Sequence, residues 1–186
     1  MKADRHAVLS LVIVCECVIY IDVNPKNPMN QTMPWSQRLG AAAFYLIPLI
    51  ESLDFASFIF RDLPALQYLF LPLVPLIQVY EAIPLGRLLV FFGIFFGIVR
   101  SDRFSDFIRF NAMQALLVSI IVSISGFVLS LLAPSFGAIP LLVETLVNTL
   151  FFGVVAAAGY SMVQSIRGER AEIPAISEAA DLQSRM

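Results

Sequence analysis

Charge, histidine and cysteine are all scarce in this sequence. Charged residues make up 14% of its 186 residues, and His6 is its one histidine. A soluble domain is typically about a quarter charged. The 12 Lys and Arg residues are scattered along the chain and the formal net charge is −2, which excludes a basic nucleic-acid-binding surface.

Patterns that carry catalysis or bind cofactors are also missing. No nucleophile is paired with a base, and no glycine-rich phosphate loop is present. Cys15 and Cys17 are separated by one residue, which is too close for an ordinary metal-binding pair, and no second pair exists. We interpret them as small apolar residues of a hydrophobic stretch. The sequence therefore predicts neither an enzyme nor a metal or cofactor site.

Long apolar runs are what the sequence has in excess. Hydrophobic residues make up 59% of the chain, and the mean hydropathy is +0.82. About 20 apolar residues in a helix cross a hydrocarbon core of about 30 Å. The length allows one compact bundle. The sequence therefore predicts an all-α integral membrane protein.

Four runs are predicted to span the membrane and to form a four-transmembrane-helix bundle over residues 35–166. They are Trp35–Leu53, Ile83–Val99, Phe110–Leu132 and about Ile139–Gln164. A short turn is expected over 133–137, between the last two runs. Residues 167–186 are expected to form a polar tail, which is disordered over residues 172–186.

The first span contains its own landmarks. Trp35 and Arg38 suit the membrane interface. Pro48 should kink the helix, because proline removes one backbone hydrogen bond and crowds the preceding turn. Glu51 and Asp54 are interpreted as the exit to water.

A proline-rich apolar segment lies between the first and second spans. It covers Leu63–Ile83, and Pro64, Pro72 and Pro75 would break a straight helix. We interpret it as interfacial or re-entrant, because broken backbone is tolerated at membrane depth when protein covers it. The alternative is a fifth span.

Residues 1–34 form an N-terminal extension. Ala7–Val23 is apolar but carries Glu16 in its middle, and no cleavage site of the signal-peptide type follows. The extension is either a short helix beside the bundle or an extension of the gene model, with the start at Met29 or Met33.

The charged link between the second and third spans predicts the orientation. It contains Arg100, Arg103 and Arg109, and the third helix should begin near a cap at Ser101 or Asp102. Basic residues favour the cytoplasmic side. Four spans then place both termini on the cytoplasmic side, or on the stromal side in a plastid.

Polar and small residues inside the spans are the candidate intramembrane contacts. Gly93 and Gly97 form a GxxxG pattern, which favours packing against a neighbouring helix. Asn111 and Gln114 are expected to hydrogen-bond between helices, and Ser119 lies on a stripe of small residues that begins at Ala112. Three further candidates are Ser123, Glu144 and Asn148. Glu144 is interpreted either as a pathway residue or as a side chain that reaches the interface.

Three stretches resemble the twenty-kilodalton subunit family of the translocon at the inner chloroplast envelope, which has cyanobacterial and plastid-encoded members. They are FFGIFFGIVRSDRFSDFIRFNAMQALL, WSQRLGAAAFYLIPLIESL and LPLVPLIQVY. The resemblance covers roughly Trp35–Arg167, and the first 30 residues show no counterpart. Ser119 stands where an acid is expected in many members.

The resemblance implies a membrane subunit of a protein translocation complex that works with other membrane subunits or as a homo-oligomer. Membrane lipid and a translocating polypeptide are its further implied contacts, and a nucleic acid is not. The implied location is the plastid inner envelope, or a cyanobacterial plasma or thylakoid membrane. Two alternatives stay open, a non-conducting structural or assembly subunit and a small-solute or ion channel.

Overall fold

A computed structural model describes residues 33–83, 85–136, 140–171, 173 and 176–184. Within these ranges the regular structure is entirely helical, which confirms the all-α class. The expectations for His6, Cys15, Cys17 and a short N-terminal helix lie outside the described residues.

The described helices follow one another with short connections. The α-helices are α1 (Trp35–Phe44), α2 (Leu46–Ser52), α3 (Ser57–Asp62), α4 (Gln67–Phe70), α5 (Val74–Ala82), α6 (Gly86–Ile94), α7 (Asp106–Phe136), α8 (Pro140–Arg167) and α9 (Ile176–Ser184). Single 3₁₀ turns cover Leu53–Phe55, Pro64–Leu66 and Leu71–Leu73, and a π-helical turn covers Phe95–Val99.

The first apolar run is broken at Tyr45, between α1 and α2. Pro48 cannot donate a hydrogen bond to the carbonyl of Phe44, and its ring crowds that turn. Just before the proline, the backbone N–H of Tyr45 donates to Ala42 O at 3.2 Å. This bond reaches three residues back, as in a 3₁₀ helix, and not four as in an α-helix. The predicted kink at Pro48 is confirmed.

The proline-rich segment stays helical by changing its helix type. Pro64, Pro72 and Pro75 each lie at the first or second position of a new 3₁₀ or α-helical piece. A missing N–H costs little at these positions, because the first turn of a helix has no acceptor for it. The prolines therefore divide the segment into short pieces and leave its helical course intact.

Three helical stretches of the described chain are long and apolar enough to cross a bilayer. They are Pro64–Ala82, Asp106–Leu132 and Leu141–Arg167, and Gly86–Val99 is a shorter apolar helix. The proline-rich segment is thus also long and apolar enough to cross, although its mean hydropathy of 1.2 is below the 2.6 and 1.9 of the two long helices. The four-span count and the interfacial assignment of this segment stay predictions.

The limits of α7 correct two expectations. The helix begins at Asp106, not at a cap on Ser101 or Asp102, because residues 101–105 form a turn and the N–H of Arg109 first bonds to Ser105 O at 3.0 Å. It also continues to Phe136, through the expected turn over 133–137.

The C-terminal residues correct a third expectation. Ile176–Ser184 forms α9, which packs against α7, whereas a disordered tail was predicted. Ala180 is fully buried in this contact, and Asp181 pairs with Arg170 at 3.2 Å. The prediction failed because it used the overall polar composition, whereas a single small apolar residue, Ala180, is enough to pack α9 against α7.

The described helices enclose two apolar regions around a polar centre. One contains Phe55, Phe70, Val122 and Phe151, contributed by the early helices, α7 and α8. The other surrounds Val99, Phe110 and Leu116 on α6–α7 and reaches Ala180 of α9. The kinked α1–α2 pair packs against both α7 and α8. The break at Tyr45 therefore lies at the middle of the bundle.

Gly86 and Gly93 offer a matched test of the turn between α5 and α6. A Cβ at Gly86 would lie 2.5 Å from Tyr80 O, whereas a Cβ at Gly93 would have nothing within 4 Å. We expect Gly86→Ala to destabilise the protein by about 1–3 kcal/mol, because the backbone must shift. Gly93→Ala should leave the melting temperature in detergent unchanged or raise it. Equal effects of the two substitutions would contradict the close contact at Gly86.

Candidate functional site

Five buried polar side chains form the central cluster: Tyr45, Asn111, Gln114, Ser161 and Ser165. All five side chains are 0% exposed. The Tyr45 hydroxyl lies 3.0 Å from Asn111 Oδ1 and 3.2 Å from Gln114 Oε1, so its one hydrogen is shared between two amide oxygens. The Ser165 hydroxyl donates to the same Asn111 oxygen at 2.8 Å. Three helical segments are thereby joined by side-chain hydrogen bonds.

Helical spacing explains why these residues converge. Asn111 and Gln114 are three residues apart on α7, and Ser161 and Ser165 are four residues apart on α8, so each pair shares one face of its helix. The helix break at Tyr45 brings the phenol between these two faces. The amide of Asn111 is held in turn, because its Nδ2 donates to Phe107 O at 2.8 Å.

The central cluster retains unused hydrogen-bonding groups. Gln114 Nε2 and Ser161 Oγ are buried, and neither has a partner among the described residues. The Ser161 hydroxyl nevertheless faces Tyr45. Because buried polar groups are costly without a partner, this is the part of the interior where a further polar contact would be most favourable.

A second group, the Glu51 cluster, consists of Glu51, Asp54, Tyr80, Arg87 and Ser119. Glu51 is 4% exposed, so its interpretation as an exit to water is wrong. Its Oε1 accepts a hydrogen bond from the Tyr80 hydroxyl at 2.6 Å. The sequence did not predict this contact, because Glu51 lies at the end of an apolar run, where charged residues usually mark the membrane boundary. Its partner Tyr80 also lies 29 residues further along the chain.

Arg87 and Asp54 close the same end of the molecule. Arg87 Nη2 lies 2.7 Å from Asp54 Oδ2, and both side chains are about half exposed. At this end Arg61 also pairs with Glu144 at 3.5 Å. The predicted pathway candidate Glu144 is thus held in an ion pair that joins α3 to the start of α8.

The opposite end of the bundle brings together three distant parts of the chain. The hydroxyl of Ser105, in the charged link, lies 3.2 Å from Gln37 Oε1 at the start of α1. The guanidinium of Arg38 lies over the Trp35 ring, with 5.3 Å between the guanidinium carbon and the ring centroid. A Cβ at Gly168, just after α8, would lie 3.0 Å from Arg38 Nε. The start of α1, the link and the end of α8 are therefore neighbours.

The three link arginines differ in their surroundings. Arg100 and Arg103 are exposed. Arg109 is 13% exposed, and its Nε donates to Val99 O at 2.9 Å. Val99 ends the π-helical turn, where carbonyl groups have no partner within the helix. Arg109 therefore closes the connection between α6 and α7, in addition to carrying positive charge.

The remaining candidates do not join either cluster. Ser123 is exposed, and Asn148 Oδ1 is buried without a partner among the described residues. Gly93 and Gly97 would each have nothing within 4 Å of a Cβ. No described residue approaches these two glycines closely, and the packing against a neighbouring helix predicted for the GxxxG pattern stays a prediction.

The described ranges contain no group of three or more His, Cys, Asp and Glu residues arranged to hold a metal ion. The polar side chains of the central cluster are amide and hydroxyl groups, which hydrogen-bond and do not titrate near neutral pH. The arrangement can fix the relative positions of helices. It also supplies polar groups to the interior of an otherwise apolar bundle.

Comparisons with known proteins agree with one another. The family model described as "Chloroplast import apparatus Tic20-like" matches residues 12–180. A Tic20 family protein of Synechocystis is 41% identical over 157 residues, which cover 84% of this chain and 98% of the relative. The family match begins at residue 12. The expectation that the first 30 residues have no counterpart is therefore wrong from that residue onward.

Two plastid relatives are more distant. The chain is 29% identical over 153 residues to Protein TIC 20-II, chloroplastic, of Arabidopsis thaliana, covering 81% of this chain and 73% of the relative. It is 32% identical over 191 residues to the Tic20 family protein Ycf60 of Gracilaria tenuistipitata, covering 98% of this chain and 92% of the relative. The relatives therefore include cyanobacterial and chloroplast proteins.

Asn111 and Asn148 provide a matched test of the central cluster. Asn111→Ala leaves the Tyr45 and Ser165 hydroxyls without their shared acceptor, so we expect a loss of about 2 kcal/mol, or roughly 4–8 °C in melting temperature. Asn148→Ala removes an amide whose Oδ1 is already unpaired and should cost less. Thermal unfolding in detergent measures both. Equal losses would show that the cluster does not contribute specifically to stability.

Proposed function

The chain belongs to the Tic20-like family of the chloroplast import apparatus, and we propose that it acts as a membrane subunit of a protein translocation complex. The observation that carries this proposal is the family match, which covers residues 12–180 and includes both long helices. The apolar helices of the described chain support a location within a membrane.

The packing of the bundle supports a path outside the single chain. The space between α1–α2, α7 and α8 is filled by the central cluster and by apolar side chains that include Phe55 and Phe151. An extended polypeptide needs a wider passage than such a packed interior offers. We propose that the path lies where this chain meets another membrane subunit or a second copy of itself.

One face of α7 is the proposed lining of that path. Ser119, Ser123, Gly126 and Ser130 follow one another at helical spacing. Ser119 is buried and Gly126 approaches the Phe55 ring, but Ser123 and Ser130 are exposed. The Ser130 hydroxyl donates to Phe127 O at 2.7 Å, which leaves Ser123 as the more available polar group.

The contacts at the two ends support four membrane crossings. Gln37 touches the link at Ser105, and Arg38 touches the chain after α8, so an even number of crossings separates each pair. Asp54 and Arg87 meet at the opposite end, before and after the proline-rich segment. This pairing supports the interfacial or re-entrant assignment for that segment, with both ends of the membrane domain on the cytoplasmic or stromal side.

Cysteine labelling tests this topology. In a background without Cys15 and Cys17, single cysteines replace Ser101 in the link and Asp62 and Glu81 at the two ends of the proline-rich segment. We expect a membrane-impermeant reagent to label Ser101→Cys from the cytoplasmic side, and Asp62→Cys and Glu81→Cys from the other side. Labelling of Asp62→Cys and Glu81→Cys from opposite sides would show that the segment spans the membrane.

Photo-crosslinking tests the translocation role. A photoreactive residue at Ser123 should capture a precursor arrested during translocation, whereas one at Ile121, exposed on the opposite side of α7, should capture lipid or little else. Recovery of stable membrane neighbours alone from Ser123 would favour the structural or assembly role. Equal capture of precursor from both positions would contradict the proposed lining.

A further inference from the structure

The Glu51 carboxyl group is buried, and only one of its two oxygen atoms has a hydrogen-bond partner within the described ranges. One of its oxygens, Oε1, accepts the hydrogen bond from Tyr80, whereas Oε2 has no partner within the described ranges. The Ser119 hydroxyl faces the same carboxyl group from α7, and its Oγ is also buried and unpartnered there. Glu51 and Ser119 are 4% and 5% exposed. Two groups on different helices that face each other thus each contain a buried oxygen atom without a partner in these ranges.

The charges near Glu51 do not neutralise it by direct contact. Arg87 and Asp54 are the charged groups that act on the carboxyl, and they bind each other at 2.7 Å. Tyr80 and Ser119 are the other polar groups that face it. An ionised carboxylate in this position would be buried without an ion pair of its own, which is strongly unfavourable.

We propose that Glu51 is a proton-binding site and that the bound proton fastens the proline-rich segment to the bundle. A proton on Oε2 can be donated to Ser119 Oγ, while Oε1 continues to accept from Tyr80. Each of the orphaned oxygen atoms then has a partner, and no unpaired charge is left buried, as it would be if Ser119 donated to an ionised Oε2. A metal ion fits less well, because one carboxylate oxygen and one hydroxyl fall short of the six or more oxygen ligands typical of Mg²⁺ or Ca²⁺.

Loss of that proton should loosen the segment. When the proton leaves for water, the carboxylate draws in water to hydrate its charge, and Ser119 loses its donor. Only 6% of an 18-residue window of the Pro64–Ala82 stretch is buried, so few other contacts hold this stretch against the bundle. Phe70 anchors its first half by packing against Phe60 and Phe151, which leaves Tyr80 as the fastening of its second half.

Infrared spectroscopy of the full chain in lipid nanodiscs tests the proton directly. We expect a protonated-carboxyl band at neutral pH that disappears in Glu51→Gln and remains in Glu81→Gln, an exposed acid in the same region. If the band is unaffected by Glu51→Gln, or is missing from the unmodified chain at every pH, the proposal is wrong. The second result needs no variant to fold.

Spin-label distances test the fastening. Labels at Ala43→Cys and Val79→Cys, both exposed positions, are placed in a background without Cys15 and Cys17. Raising the pH should broaden the distance distribution in the labelled parent and in Glu81→Gln. Glu51→Gln, which keeps both hydrogen-bonding groups but cannot ionise, should stay narrow. Tyr80→Phe should be broad at every pH.

Two outcomes of the distance measurement would overturn the proposal. One is a distribution that does not change with pH in the parent. The other is a broadening in Glu51→Gln as large as that in the parent. Neither result bears on the translocation role, because both measurements use the isolated chain without a precursor.

Discussion

Hydrogen bonding between helices, in a place that water does not reach, is the constraint on which the bundle depends. Helices in a bilayer gain little from burying apolar surface against each other, because lipid is equally apolar. The Tyr45 hydroxyl, the Asn111 amide and the Ser165 hydroxyl supply directional contacts instead. Each of these contacts needs a definite rotation and height of its helix. The central cluster therefore sets the register of three segments at once.

The kink in the first span is a condition for that cluster. Pro48 has no N–H to bond to the carbonyl of Phe44, and Tyr45 lies between two short helices. A stability cost in one helix thus places a hydroxyl group where α7 and α8 both present polar side chains.

The two ends of the molecule differ in charge and in the side-chain contacts that hold them together. At the basic end, Arg109 binds the last carbonyl of the π-helical turn and Arg38 lies against the chain that follows α8. At the acidic end, Glu51 binds Tyr80 of the proline-rich segment, and Asp54 binds Arg87, which follows that segment.

Much of the architecture could be predicted from the sequence, because membrane insertion depends on local properties. The all-α class and the apolar helices follow from the length and hydropathy of the runs, and the kink follows from the backbone chemistry of Pro48. The family could be recognised from the stretch around FIRFNAMQALL. Asn111 and Gln114 could be selected as interhelical candidates because amides are rare in apolar runs.

The partners of those residues could not be predicted, because they lie far away in the chain. The position of Glu51 at the end of an apolar run predicted a residue at the membrane boundary, whereas Tyr80 and Ser119 face its buried carboxyl group. The polar composition of the tail predicted disorder, whereas Ala180 is buried where α9 packs against α7. Local chemistry determined that the chain forms long apolar helices and where the first apolar run bends. Only the tertiary structure decided which buried polar group meets which, because that depends on the rotation of each helix about its axis.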